Sequence, residues 1–152
     1  MRRKGPRDFS HSGPHAIKAV EREHVVACFC VENLISLATS DPSLLASRYS
    51  VKDLRTCRSS LDDNCVVRMF ITFERVLRTY LKDRGLKIPF KAKDLIDRVS
   101  TRVGVPTGDS LAVHVVRDYR NALVHSAIDR PPPVAIADAR GSLCKFLSML
   151  HR

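Results

Sequence analysis

The spacing of apolar residues constrains the fold of this chain more than any other feature. Apolar side chains recur three and four residues apart in several long stretches, which is typical of amphipathic helices. The longest stretch runs from about Leu61 to Asp83, and its predicted core face comprises Val66, Val67, Phe70, Phe73, Leu77, Tyr80 and Leu81. Similar spacing predicts helices over 16–39, 91–103, 112–127 and 134–150. No segment alternates as a half-buried strand would, so the sequence predicts an all-α antiparallel bundle of four main helices with shorter additions.

Capping residues give the expected boundaries of these helices. Ser50 is a candidate N-cap for the second main helix, although the polar run 53–63 is expected to be partly loop. Gly85 follows the longest helix and is predicted to take a left-handed conformation. Asp109 or Ser110 is expected to cap the helix that begins near Ala112.

A length of 152 residues suits one domain with a single core. Residues 1–13 carry four cationic residues among Gly, Pro and Ser, and we predict a disordered basic arm there. Pro14 suits the first turn of a helix, because it lacks the N–H that would remain unbonded in that turn. The predicted helical domain therefore covers residues 14–152.

The net charge of +10 favours a polyanionic partner, with nucleic acid preferred over a membrane surface. The alternative is a soluble basic domain without such a partner. Five cysteines without a Cys-x-x-Cys pair indicate neither a disulfide framework nor a zinc site, and the histidines outside the 112–127 stretch show no metal-ligand spacing. No signal-peptide core and no run of 18 apolar residues is present, so we expect a cytoplasmic protein without a membrane span, metal or cofactor.

The stretch Ala112–Ala127 departs from a simple apolar pattern. On a helix one stripe would carry Val113, Val116, Leu123, Val124 and Ala127, and Arg120 falls on that same stripe. A guanidinium on an apolar face is costly unless an anion or a hydrogen-bond acceptor meets it. Such local breaks in a consistent pattern tend to mark functional sites.

A polar edge beside that stripe carries Arg117, Asn121 and His125, four residues apart, and Asp118. Histidine can exchange protons near neutral pH, and a guanidinium can hold a phosphate by two hydrogen bonds. We predict Arg120 and His125 as the catalytic pair, although five residues separate them and place them about 140° apart on a straight helix. The alternative is a surface histidine and an arginine that pairs with a buried acid such as Glu74.

The remaining candidates each have a structural alternative. Asn121 could orient the imidazole or bind substrate, or be an ordinary exposed asparagine. Arg117, Asp118 and Glu74 are weaker candidates for substrate binding. Arg117 could instead be solvated surface, Asp118 could either raise the pKa of the histidine or pair with a nearby arginine, and His114 is expected to be exposed.

Arg120-Asn121 followed by His125, with Tyr119 before them, resembles the signature of the HEPN superfamily, small helical proteins that include RNA-cleaving toxins and defence nucleases. The resemblance covers roughly Cys57 to the C-terminus. It implies a metal-independent endoribonuclease, a homodimer with paired motifs facing a cleft, and a toxin or antiviral role with a cognate antitoxin or inhibitor. The family's toxins that pair with a nucleotidyltransferase carry a Tyr two residues beyond the His, where this chain has Ala127, so that mode of control is in doubt.

Two other functions remain open at the level of sequence. A HEPN-like module could bind RNA, a nucleotide or a partner protein without cleaving anything, because Arg and His bind phosphate equally well without catalysis. A basic helical protein that binds duplex DNA is the third interpretation.

Overall fold

The computed structural model describes residues 9–45, 48–125 and 131–150, and in this part of the chain every regular element is helical. These described residues form five α-helices and one short 3-10 helix, Pro42–Leu44. The α-helices are α1 (Phe9–Ser40), α2 (Val51–Asp83), α3 (Ala92–Val103), α4 (Thr107–His125) and α5 (Ile136–Leu147). The predicted all-α bundle is confirmed.

Helix α1 begins at Phe9, inside the segment that the sequence assigned to a disordered arm. The prediction is wrong for residues 9–13, and residues 1–8 lie outside the described part of the chain. Phe9 is buried and packs edge-on against Tyr80, with ring centroids 6.0 Å apart. Gly13 lies so close to Leu147 that an added Cβ would be 3.1 Å from it. These contacts extend the helix by more than a turn before Pro14.

Helix α2 is continuous from Val51, so the loop expected within 53–63 is absent. Ser50 is the N-cap, as predicted, and forms a capping box with Asp53. Gly85 follows the helix with φ of 65°, which confirms the predicted left-handed conformation. Helix α4 begins at Thr107, before either predicted cap, and Asp109 lies in its first turn instead.

All five helices contribute to the core, and α3 adds Leu95, Ile96, Val99 and Val103 where it packs on α2 and α4. Helices α1 and α2 run antiparallel, as Phe9 meets Tyr80 at one end and Glu32 meets Arg58 at the other. Phe73 of α2 packs against Phe146 of α5 at 5.3 Å between centroids. No helix in the described ranges is both long and apolar enough to cross a bilayer.

The buried face of α4 is rotated from the predicted stripe. Val113, Val116, Tyr119 and Ala122 are buried, whereas Val124 is 49% exposed and does not belong to the core. Ala127 lies outside the described residues. The rotation leaves Arg120 at the margin of the core, where α4 meets α2.

Candidate nucleic-acid interface

Arg120 lines a groove against the C-terminal half of α2. Helical side chains lean toward the N-terminus of their helix, and α4 runs antiparallel to α2, so Arg120 reaches back along α2. The groove has a volume of about 400 Å³ and is lined by Ile71, Glu74, Arg75, Arg78, Thr79, Lys82, Ile88 and Arg120. We call it the basic groove, because it contains four cationic side chains and one carboxylate.

The guanidinium of Arg120 is incompletely hydrogen-bonded. Its Nη1 donates to Oδ1 of Asn121 at 3.0 Å, and its Cζ lies 5.9 Å from the ring centroid of Phe70. Its Nε is buried and has no acceptor in the described structure. A buried N–H without a partner destabilises the fold and calls for an explanation such as an ordered water or an ion. Nη1 of Arg84 is a second such atom in the described residues, but it does not line the groove.

Glu74 does not neutralise Arg120, contrary to the structural role proposed for it. Its Oε1 accepts hydrogen bonds from Nε and Nη2 of Arg78 at 3.0 and 2.6 Å. Arg78 also donates to the carbonyl oxygens of Pro89 and Phe90. The carboxylate on α2 therefore anchors the loop after that helix, and Arg120 keeps its charge without an acidic partner in the described residues.

Arg117 and His114 belong to a polar network rather than to the solvated surface. The side chains of Arg117 and His114 are only 13% and 15% exposed, which corrects both expectations. Arg117 donates to Nδ1 of His114 at 2.6 Å and to Asp118. Since Nδ1 accepts, Nε2 carries the proton and donates to Asp97 at 2.8 Å. Asp118 is thus a partner of Arg117, the alternative that the sequence left open.

The carboxyl of Asp97 closes this network from α3. Hydrogen bonding from Lys93, and secondly from His114, lowers its pKa below the usual value. Desolvation opposes the shift. These hydrogen bonds connect α3 to the middle of α4. They restrain the position of α4, the helix that carries Arg120.

His125 is the last residue of α4 and is exposed. Helix α4 is regular through this residue, so the local bulge that would bring His125 round to Arg120 is not formed. No hydrogen bond joins His125 to Arg120 or Asn121 in the described ranges. The structure therefore brings Arg120 and Asn121 together but leaves His125 on another side of the helix.

A second, larger cleft opens beside Tyr119, with a volume of about 880 Å³. The N-terminal half of α2 forms one wall, with Ser59, Asp62 and Asp63, and residues 131–136 form the other. The hydroxyl of Tyr119 donates to Oδ1 of Asp63 at 2.5 Å. Sequence reasoning missed Asp63, because 56 residues separate it from Tyr119 and no local pattern links them.

One cluster of described residues has donor atoms suited to a metal ion. His24, Cys28 and Asp62 place one nitrogen, one sulfur and one oxygen within 4.8 Å of one another. Burial raises the pKa of the Cys28 thiol, and the nearby Arg58 partly opposes that effect. In the sequence, this cluster was indicated only by the four-residue spacing of His24 and Cys28, which puts both side chains on one helix face.

Comparison of the chain with protein-family models, with curated proteins and with solved structures gives no match.

Proposed function

We propose that the chain binds RNA through the basic groove and acts as a metal-independent endoribonuclease of the HEPN type. The observation that carries the proposal is the buried Nε of Arg120, which lacks an acceptor in the described structure. A phosphate oxygen would supply that acceptor once the Arg120 side chain turns its Nε toward the groove. The surplus of three positive charges in the groove and the net charge of +10 favour the same ligand.

Cleavage requires a base that takes the 2′-hydroxyl proton and an acid that protonates the leaving 5′-oxygen. His125 is the proposed proton-transfer group, and its exposure leaves it accessible to a substrate. Arg120 would stabilise the charge that develops on the scissile phosphate, with Asn121 holding the guanidinium. The expected products end in a 2′,3′-cyclic phosphate and a 5′-hydroxyl.

A homodimer is part of the proposal, because one chain does not bring His125 to Arg120. Val124 of α4 and Ile71 in the wall of the basic groove are each 49% exposed, although both are apolar. At 100° per residue, Val124 lies about 40° from Arg120 and about 100° from His125 on α4. Association of two chains through this surface would bury apolar area and place Arg120 and His125 of each chain beside the interface.

Binding without cleavage is the second candidate, and a specific observation favours it. Arg120 faces α2, whereas His125 lies beyond the groove at the exposed end of α4. A groove that holds phosphate through Arg120 needs no histidine. In this case His125 would contribute little to the affinity for RNA.

The test compares wild type with Arg120→Ala and His125→Ala on a mixed RNA pool in the presence of EDTA. Arg98→Ala is the matched control, since Arg98 is an exposed cation on α3 outside the groove. We expect cleavage by wild type and by Arg98→Ala, and none by the other two variants. Circular dichroism and sedimentation verify that each variant keeps its helicity and its oligomeric state.

Binding separates the two candidates when cleavage is absent. If wild type binds RNA but does not cut it, and only Arg120→Ala weakens binding, the binding module replaces the nuclease. If wild type and Arg120→Ala bind RNA equally, the basic groove is not the RNA site and both candidates fail. Preference for duplex DNA over RNA would support the DNA-binding alternative.

A toxin or antiviral role follows from the proposed activity and is tested by expression. Induced wild-type protein should arrest growth, while His125→Ala made at the same level should not. A cognate antitoxin or inhibitor would be a partner that restores growth and stops cleavage by the purified protein. Equal growth of the two strains would contradict the toxin role without bearing on RNA binding.

A further inference from the structure

Three potential metal ligands converge between α1 and the N-terminal half of α2. Nε2 of His24 lies 3.2 Å from Oδ1 of Asp62 and 3.4 Å from Sγ of Cys28. His24 and Cys28 are one helical turn apart on α1, and Asp62 faces them from α2. Cys28 is buried and the His24 side chain is 11% exposed, so these two donors are shielded from solvent while Asp62 remains open to it.

The separations match those of ligands around tetrahedral zinc. With bonds of about 2.0–2.1 Å to nitrogen and oxygen and about 2.3 Å to sulfur, tetrahedral angles put N and O about 3.4 Å apart and N and S about 3.5 Å apart. The observed 3.2 and 3.4 Å lie close to both values. The third pair, Sγ of Cys28 and the Asp62 oxygen, lies within 4.8 Å, against about 3.5 Å around such an ion, and the exposed Asp62 side chain is free to close the difference.

We propose that His24, Cys28 and Asp62 bind one zinc ion, whose fourth ligand is water. Imidazole nitrogen, thiolate sulfur and carboxylate oxygen are all zinc ligands, and three protein ligands leave one tetrahedral position for solvent. Thiolate and carboxylate together offset the two charges of the ion. The thiol proton leaves to bulk solvent when the sulfur binds the metal.

Residues around the ligands hold the carboxylate in place. Nη1 of Arg58 donates to Oδ1 of Asp62 at 3.2 Å, and its Nε donates to Glu32 at 2.6 Å. Glu32 thus balances the charge of Arg58, which would otherwise repel a cation. Oδ1 of Asp62 has a second lone pair for the metal, while Arg58 orients the group in the manner of outer-sphere partners at metal sites.

The ion would fasten α1 to α2 at the end of the bundle away from the basic groove. The groove is lined by residues 71–88 and Arg120, whereas the zinc ligands lie at 24, 28 and 62. The proposed zinc site is therefore separate from the groove and from the proposed RNA chemistry. Without an ion the same residues form a histidine–aspartate contact, which the experiment distinguishes from a metal site.

Cobalt(II) provides the direct test, because a cobalt–thiolate bond gives a charge-transfer band in the near ultraviolet. Metal-free reduced wild-type protein titrated with Co²⁺ should show this band, saturating at one ion per chain. Zn²⁺ should abolish the band by displacement. Cys28→Ser should remove the band, whereas Cys30→Ser, two residues along the same helix at an exposed position, should keep it.

Asp62→Asn keeps the proposal falsifiable if Cys28→Ser is misfolded, because Asp62 is exposed and its replacement leaves the core intact. We expect Zn²⁺ binding in this variant to be weaker by at least about 10-fold, measured by competition with a chromophoric chelator, since loss of even an outer-sphere partner weakens metal binding about 10- to 100-fold. Zn²⁺ should raise the melting temperature of wild type and of Cys30→Ser, and raise that of Asp62→Asn less. Absence of the cobalt band in wild type, or equal zinc affinity in wild type and Asp62→Asn, would overturn the assignment.

Discussion

Replacement of Arg120 by methionine should leave the fold nearly as stable as wild type while weakening RNA binding. Arg120 combines a buried Nε without an acceptor in the described structure with one hydrogen bond to Asn121 and a ring contact to Phe70. Methionine fills a similar volume without a polar group. The substitution therefore removes an unfavourable group together with two weak favourable contacts.

The contributions nearly cancel. Removing a buried unsatisfied N–H stabilises the fold by about 1–3 kcal/mol, and losing the hydrogen bond to Asn121 costs about 0.5–1.5 kcal/mol. Loss of the cation–ring contact costs about 0.5–1 kcal/mol. Since the mid-range values differ by only about 0.3 kcal/mol, we expect Arg120→Met to leave the free energy of unfolding nearly unchanged, and within about 2 kcal/mol at the extremes of these ranges.

Arg78→Met is the matched comparison in the same groove. Arg78 makes two hydrogen bonds to Glu74 and two to backbone carbonyls, so its loss leaves a carboxylate with only 21% side-chain exposure unpaired. Discounted for that exposure, the cost is about 2 kcal/mol. For a chain of this size the two variants should then melt about 4–8 °C apart.

Thermal unfolding followed by circular dichroism measures this difference, and RNA binding at several salt concentrations measures the other half of the prediction. Loss of one phosphate contact should reduce the slope of log affinity against log salt by about 0.7 for a single strand. If Arg120→Met is destabilised as much as Arg78→Met, the Nε has a partner in solution. The argument that Arg120 binds a phosphate would then be refuted.

Two further predictions follow from the pKa shifts. Burial raises the pKa of Cys65 to about 11. A thiol reagent at pH 8 should therefore modify the exposed Cys30 and Cys57 quickly, and Cys65 only when the protein unfolds. Rapid reaction of Cys65 in the native protein would contradict its burial. The lowered pKa of Asp97 stabilises the fold above the unfolded-state value of about 3.9 and loses this effect as pH falls through the folded value. The destabilisation caused by Asp97→Asn, measured by urea unfolding, should therefore be constant near neutral pH and shrink below about pH 4, and a difference that stays constant to pH 2 would refute the linkage.

The sequence could predict the helices whose own pattern specifies them. Most of the predicted core face of α2 is buried, and its Ser50 cap and left-handed Gly85 are in the expected places. The start of α1 could not be read locally, because Phe9 is helical through its contact with Tyr80, 71 residues away along the chain. The polar run 53–63 is helical for a related reason, since Arg58 and Asp62 pair with residues of α1.

The candidate site was predictable in composition but not in its pairings. Arg120 was identified by its place on an apolar stripe, and the structure keeps it at the core margin with Asn121. The predicted pairing of Glu74 with Arg120 was wrong because Arg78, four residues along the same helix, lies closer to the carboxylate than a cation on another helix. His114 was expected to be exposed because its partner Asp97 comes from α3, and periodicity within α4 contains no information about that packing.

The chelator experiment tests the metal-independent nuclease and the zinc site together, and its outcomes distinguish the two proposals. If EDTA abolishes RNA cleavage, a metal at the reacting phosphate and the zinc ion proposed between α1 and α2 predict different rescues. Zinc alone should restore a protein whose α1–α2 contact depends on His24, Cys28 and Asp62, and Asp62→Asn should show reduced activity even before EDTA is added. Restoration by Mg²⁺, with Asp62→Asn as active as wild type, would instead place a metal in the reaction and refute the metal-independent mechanism. Cleavage that persists in EDTA would support the metal-independent mechanism, because the bond-breaking step would then proceed without a removable metal. A Cys28-dependent cobalt band on addition of Co²⁺ to metal-stripped protein would support the zinc site independently.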